Sequence, residues 1–316
     1  MTSAVVGDDR ALSGQLAAIL ALPRALQPAA AATLGTSLPA AQEAWNSSFA
    51  DGTLFEAFSG SSVARGVYAA NREVLRPLLG DGFRVVEIGG GNGRLWRGLL
   101  ADGARGDIVV VDPHPDGALG VAAQVPKGVT VRHVCASAQD ADLPAADVVI
   151  ASLVLHHVAG TDRTHRELHG LVGDGKREIL ARAAKAAATV VLNEADVYCD
   201  LDLPPGDPLL LERLCDSYVR RFAVSLAHDI DHADNPQLAA RLTAIVRDWA
   251  LGQLAIAGVP IVQRDVYERD VPSWLLLLDT AGLKVVSRRF TDPWMLFCQY
   301  VCHSEKVPMP VSPVAP

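Results

Sequence analysis

The segment Val85-Val86-Glu87-Ile88-Gly89-Gly90-Gly91-Asn92-Gly93 constrains the fold more than any other. A continuous run of β-branched and aliphatic residues reads as a strand covered on both faces. The glycines after it let the chain turn sharply and let a ligand come close to bare backbone. Such a turn, at the carboxyl end of a first strand and opening a helix, is the ligand crevice of an open α/β sheet.

The same rhythm recurs downstream. Ile108–Val111, Val129–Val131, Asp147–Ile150 and Thr189–Leu192 are short apolar runs separated by helical stretches. Strands alternating with helices predict βαβ units and a mostly parallel, doubly wound sheet. Lys284–Phe290 and Met295–His303, joined by Thr291-Asp292-Pro293-Trp294, predict an antiparallel hairpin at its end. Helical spacing covers Ala11–Leu22, Pro39–Phe58, Ser61–Leu79, Leu209–Ala227, Pro236–Ala257 and Asp270–Ala281, the last ended by Gly282. The expected organisation is a helical extension or lid over 1–80 and a main domain over 81–305 with a helical insertion at 206–257. A disordered tail over 306–316 follows, because four prolines crowd Val307–Pro316.

Composition narrows the function. Half of the 316 residues are hydrophobic, enough for a large core, yet no run of 18 apolar residues lacks charge. A membrane span is therefore not expected. The start of the chain carries Asp8 and Asp9 in place of a basic leader. A formal charge of −8 weighs against nucleic acid, whose phosphates need clustered Lys and Arg. Cys135, Cys199, Cys215, Cys298 and Cys302 form no CxxC and read as reduced thiols of a cytoplasmic protein. Cys298 and Cys302, four apart on a strand, share one face.

The glycine turn distinguishes two cofactors. A dinucleotide fingerprint requires Gly-x-Gly-x-x-Gly, and no register starting at Gly89, Gly90 or Gly91 supplies it. The chain instead shows Glu87-x-Gly89-x-Gly91-x-Gly93, an acid ending the strand. A pyrophosphate is repelled by such an acid, whereas a sulfonium and an ammonium are attracted. Asp112, 25 residues past Glu87 and followed by Pro113, ends the second strand, where a carboxylate accepts from both ribose hydroxyls.

These segments resemble motif I and its companions in class I, Rossmann-like, S-adenosylmethionine-dependent methyltransferases of the small-molecule type. Cys135-Ala136-Ser137-Ala138-Gln139-Asp140-Ala141-Asp142 resembles the family's adenine loop, with Ser137 where an acid is usual and Asp140 or Asp142 as substitutes. Ala146–Val158 resembles motif IV, a fourth strand running through Ser152 to Leu155-His156-His157-Val158. The resemblance implies a seven-stranded sheet, with the hairpin as its last two strands. It implies S-adenosyl-L-methionine as cofactor, held by Glu87, Gly89, Gly90, Gly91, Gly93, Asp112, Pro113, Ser137, Ala138 and Ser152.

Nucleic-acid amino methyltransferases of this fold end the fourth strand in Asn/Asp-Pro-Pro-Tyr/Phe, and RNA cytosine enzymes use Pro-Cys. The chain has neither. A small-molecule acceptor in secondary metabolism is therefore the expectation, with C-, O- or N-methylation left open. Methyl transfer needs alignment of nucleophile, methyl and sulfur, and some acceptors need a base. Candidate catalytic residues are His157, His156 and Glu194, each with a purely structural role as the alternative. Tyr198 is a candidate substrate contact. His228-Asp229-Ile230-Asp231-His232-Ala233-Asp234 matches no established metal spacing, so no metal is assigned. The flanking helices serve equally as a lid or as a homodimer interface. Two other functions stay open: a cyclase or isomerase using the same cofactor, and a non-catalytic interaction protein. For the latter, Gln263–Asp270, Trp274 and Ala281-Gly282 faintly resemble GRAS-type regulators.

Overall fold

The computed structural model describes residues 58–158, 175–197, 220–238 and 267–306, with residues 207, 209, 213, 216, 217 and 240 between them. Tyr198, Gln263–Val266, the tail and the two helices expected before residue 58 lie outside this set, as does most of 206–257.

The elements, in chain order, are α1 (Ser62–Leu75), β1 (Phe83–Ile88), β2 (Gly106–Val111), α2 (Pro115–Ala122), β3 (Val129–Val134) and β4 (Ala146–Ser152). Then come α3 (Gly175–Ala186), β5 (Ala187–Ala195), α4 (Arg220–Asp231), α5 (Val271–Thr280), β6 (Leu283–Phe290) and β7 (Phe297–Ser304). All seven expected strands are present. They form one sheet in the order β3-β2-β1-β4-β5-β7-β6. The first five run parallel, and β7 pairs antiparallel with both β5 and β6.

The chain divides into two units. The larger comprises Gly66–Ala195, Val266–Thr291 and Phe297–Pro316 and contains the whole sheet. Alternation along its strands splits the core. Val86, Ile88, Val149, Ala151, Val190 and Leu192 face one layer, which α3 and α5 cover through Ile179, Leu180, Trp274 and Leu278. Val85, Val110, Val148, Ile150 and Val191 face the other, with Leu75 of α1, Trp96 and Val121. Cys298 and Cys302 share the first layer, where burial pushes the Cys302 thiol up to about 12. Asp270 caps α5 by accepting the Ser273 N–H at 3.0 Å, and Gly282 ends it at φ 81°.

The smaller unit comprises Met1–Arg65, Asp196–Asp265 and Asp292–Leu296. Within it α4 supplies Asp229, whose carboxylate accepts the Ser62 N–H at 2.8 Å and the Ser62 hydroxyl. Arg221 of the same helix is paired with Asp196 at 3.2 Å.

One expectation fails. The glycine turn does not open a helix. Residues 91–100 form successive turns, with Trp96 N–H donating to the Gly93 carbonyl and Leu99 N–H to the Trp96 carbonyl. Gly93 and Gly98 adopt φ of 71° and 68°, outside the right-handed helical region, so the winding restarts at each.

Candidate functional site

The site is built on the carboxyl ends of β1, β2, β4 and β5, which lie side by side. Ile88 pairs with Val111, so Gly89 and Asp112 emerge abreast, and the Gly89 N–H donates to the Val111 carbonyl at 3.0 Å. Gly89, Gly91 and Gly93 have φ of 75°, 53° and 71°, the left-handed region that side chains resist. Two of the glycines also let α2 come close. A Cβ on Gly93 would lie 2.2 Å from the Gly120 carbonyl oxygen, and one on Gly90 2.8 Å from that of Gly117. The turn is thus clamped backbone to backbone by the Gly117 and Gly120 face of α2.

Glu87 points beneath this turn. It is 5% exposed, and its Oε2 accepts the Trp96 indole N–H at 2.6 Å. Burial pushes its carboxyl up to about 8; the Trp96 bond opposes this and the Asp112 charge adds to it. Burial thus favours the neutral form of this acid.

Asp112 is half-buried. Its Oδ1 accepts the His114 N–H at 2.8 Å, and Gly117 leaves room beside Oδ2, 2.6 Å from where a Cβ would stand. Pro113 is exposed. In the loop after β3, the Ser137 hydroxyl donates to Asp140 Oδ2 at 2.7 Å, while Asp142 is exposed. Arg182 of α3 grips this loop through the Ala138 and Ala141 carbonyls, at 2.7 and 2.8 Å.

At the end of β4 the chain bends through Leu153, at φ 54°. A left-handed leucine is strained and must be held by its surroundings. The Leu153 N–H donates to the Asn193 carbonyl at 2.8 Å. Glu194 Oε1 then accepts the N–H groups of Val154 and Leu155 at 3.1 and 2.6 Å, and Oε2 meets His156 Nδ1 at 2.8 Å. A carboxylate only accepts, so Nδ1 carries the proton of the neutral imidazole and Nε2 keeps the lone pair. Burial pulls the His156 imidazole down, but the Glu194 carboxylate beside it prevails and holds it above the ordinary value. His157 is exposed, its ring 4.1 Å from that of His156.

Two residues that the sequence reading missed complete this cluster. Lys176, 4% exposed at the start of α3, donates from Nζ to the Val158 carbonyl. The Tyr267 N–H donates to the His156 carbonyl at 2.6 Å and brings in Glu268, 7% exposed. Burial pushes the Glu268 carboxyl up to about 7, against the pull of His156. No motif spacing marks either residue; each is one more charged residue beside a helix.

Ser152, on the opposite sheet face from Glu194, accepts from Asn71 Nδ2 at 2.8 Å. Asn71 Oδ1 in turn accepts from Asn193 and Gln299, at 2.6 and 2.9 Å. Tyr198 falls outside the described residues. In the smaller unit, Asp229 is committed to capping α1, and the His228 ring lies tilted against those of His232 and Trp294. Among the described residues no group of three His, Cys, Asp or Glu side chains is arranged to hold a metal ion.

Residues 86–175 match a family model described as a methyltransferase domain. No curated protein matches the sequence. Solved structures similar to the chain include a 1,6-didemethyltoxoflavin-N1-methyltransferase of Burkholderia thailandensis, with bound substrate and S-adenosylhomocysteine. It is 17% identical, with 83% of this chain and 86% of that one covered and a TM-score of 0.46. A magnesium protoporphyrin IX methyltransferase of Synechocystis with bound SAM is 11% identical, with 84% and 97% covered and a TM-score of 0.44. A protein of Bordetella parapertussis described as a possible exported protein is 17% identical, with 77% and 68% covered and a TM-score of 0.43.

The matched segment holds the glycine turn, Asp112 and the β4 end together. A left-handed glycine cradle abreast of a carboxylate with room at one oxygen fits an adenosine ribose and an amino-acid arm. Residues 86–175 thus resemble a methyltransferase domain, set on a seven-stranded α/β sheet with an antiparallel C-terminal hairpin.

Proposed function

We propose that the chain transfers a methyl group from S-adenosylmethionine to a hydroxyl or amine of a small metabolite, with His156 as the base. The observation that carries this is the Glu194–His156 pair at the end of β4, with Nδ1 held 2.8 Å from Oε2. The cofactor, when bound, supplies an electrophilic methyl. Asp112 would accept from the ribose, and Gly89–Gly93 would offer backbone to the amino-acid arm. Glu87 serves by anchoring the turn from below through Trp96. His156 Nε2 would take the proton released by the acceptor's hydroxyl or amine, and Glu194 would stabilise the imidazolium that forms. His157 then serves to pack His156. Support for a small acceptor is the −8 charge and the absence of nucleic-acid motifs.

The test has two parts. Calorimetry with S-adenosylhomocysteine should show binding, weakened roughly 10- to 100-fold by Asp112→Ala, as expected for a lost charged hydrogen bond. Radiolabelled S-adenosylmethionine offered with a panel of phenols, amines and hydroxylated secondary metabolites should label a product, and His156→Gln should cut the rate by roughly 10²-fold or more. Unchanged affinity in the first variant, or unchanged turnover in the second, refutes the corresponding assignment.

A further inference from the structure

The reading of His156 as a base leaves Lys176 and Glu268 unexplained, although burying either charge is costly without a partner. Both converge on the histidine. The backbone of the turn is pinned on both sides of the ring: the Tyr267 N–H holds the His156 carbonyl, and the Lys176 ammonium holds the Val158 carbonyl two residues on. Lys176 Nζ also lies 5.6 Å from the centroid of the Tyr267 ring, which ties the two tethers together. Among the described residues, three elements bring charges to bear on the imidazole. These are β5 through Glu194, α3 through Lys176, and the segment before α5 through Glu268. The His157 ring lies tilted against the His156 ring as a fourth titratable neighbour.

We propose that Lys176 and Glu268 are positioning residues for His156, two buried groups of opposite charge brought beside it by the tethers on the His156 and Val158 carbonyls. The inference rests on His156 as the base. Glu268 adds to the pull of Glu194 on the imidazole proton, and the Lys176 ammonium opposes it, so the two act on the same ring in opposite directions.

The two charges act in opposite directions, which a merely structural role would not reproduce. Histidine side chains of the full chain are titrated by two-bond proton–nitrogen NMR, with His156→Gln identifying the signal. Glu268→Gln removes a negative neighbour and should lower the His156 midpoint by roughly 0.5 to 1 unit. Lys176→Met keeps the apolar stem and should raise the midpoint by a similar amount, while Lys176→Arg should restore it. Movement of both variants in one direction, or of neither, overturns the proposal. Should Lys176→Met not fold, Glu268→Gln decides alone, and an unmoved midpoint overturns the proposal. The titration needs no acceptor. It therefore fails separately from the base reading, which fails if His156→Gln retains full methyl transfer.

Discussion

The Trp96 indole N–H donates to the Glu87 carboxyl at 2.6 Å, tying the middle of an irregular stretch to the strand that precedes the glycine turn. The carboxyl is buried, and its folded value of about 8 lies above its ordinary value of 4.5. A raised acid contributes stability fully below the unfolded value and loses it as pH rises through the folded one. Stability from Glu87 should thus decline between about pH 4.5 and 8, by a few kcal/mol. Urea unfolding across this range should show the decline in the wild type and a flatter profile in Glu87→Gln. Trp96→Phe should cost roughly 1–3 kcal/mol, and more at pH 8 than at pH 5, because the lost bond favours the ionised form. A profile identical in Glu87→Gln and wild type contradicts this account.

The contact between the glycine turn and α2 makes a second prediction. A Cβ on Gly120 would lie 2.8 Å from the Asn92 carbonyl carbon and 2.9 Å from the Gly91 oxygen, neither of which is a flexible end. Gly120→Ala should therefore destabilise by roughly 1–3 kcal/mol and weaken S-adenosylhomocysteine binding as the turn is pushed outward. Gly80, with nothing within 4 Å of an added Cβ and no positive φ, is the control, and Gly80→Ala should be neutral or slightly stabilising. Equal stabilities of the two variants in thermal melts argue against the clamp.

Leu153 carries the third. Its left-handed backbone is imposed by Asn193 and Glu194, not by its own preference. A β-branched residue tolerates this region worse than leucine, and asparagine better. Leu153→Val should lose roughly 1–2 kcal/mol in urea unfolding, while Leu153→Asn should stay within about 1 kcal/mol of the wild type despite losing apolar surface. The reverse order would show that packing of the side chain, and not backbone strain, governs this bend.

Much of the sheet was legible because strand signals are local. The apolar runs at Val85–Ile88, Ile108–Val111 and Thr189–Leu192 each fall within a strand, and the hairpin closes where Thr291–Trp294 suggested. The helix after the glycine turn was misread for an equally physical reason. Arg94–Leu100 has helical composition, but two left-handed glycines and the draw of Trp96 toward Glu87 prevent continuous winding.

The sequence by itself determined the strands, the acid–glycine turn and the carboxylate 25 residues beyond it, since each depends on neighbours a few residues apart. Only the tertiary structure decided which groups share a site. It joined His156 to Glu194 across 38 residues, brought Lys176 and Glu268 in from separate segments, and buried Glu87 against the Trp96 indole. The reason is that a side chain's charge state and partner follow from burial and from chain crossings far apart in sequence, which no local spacing encodes.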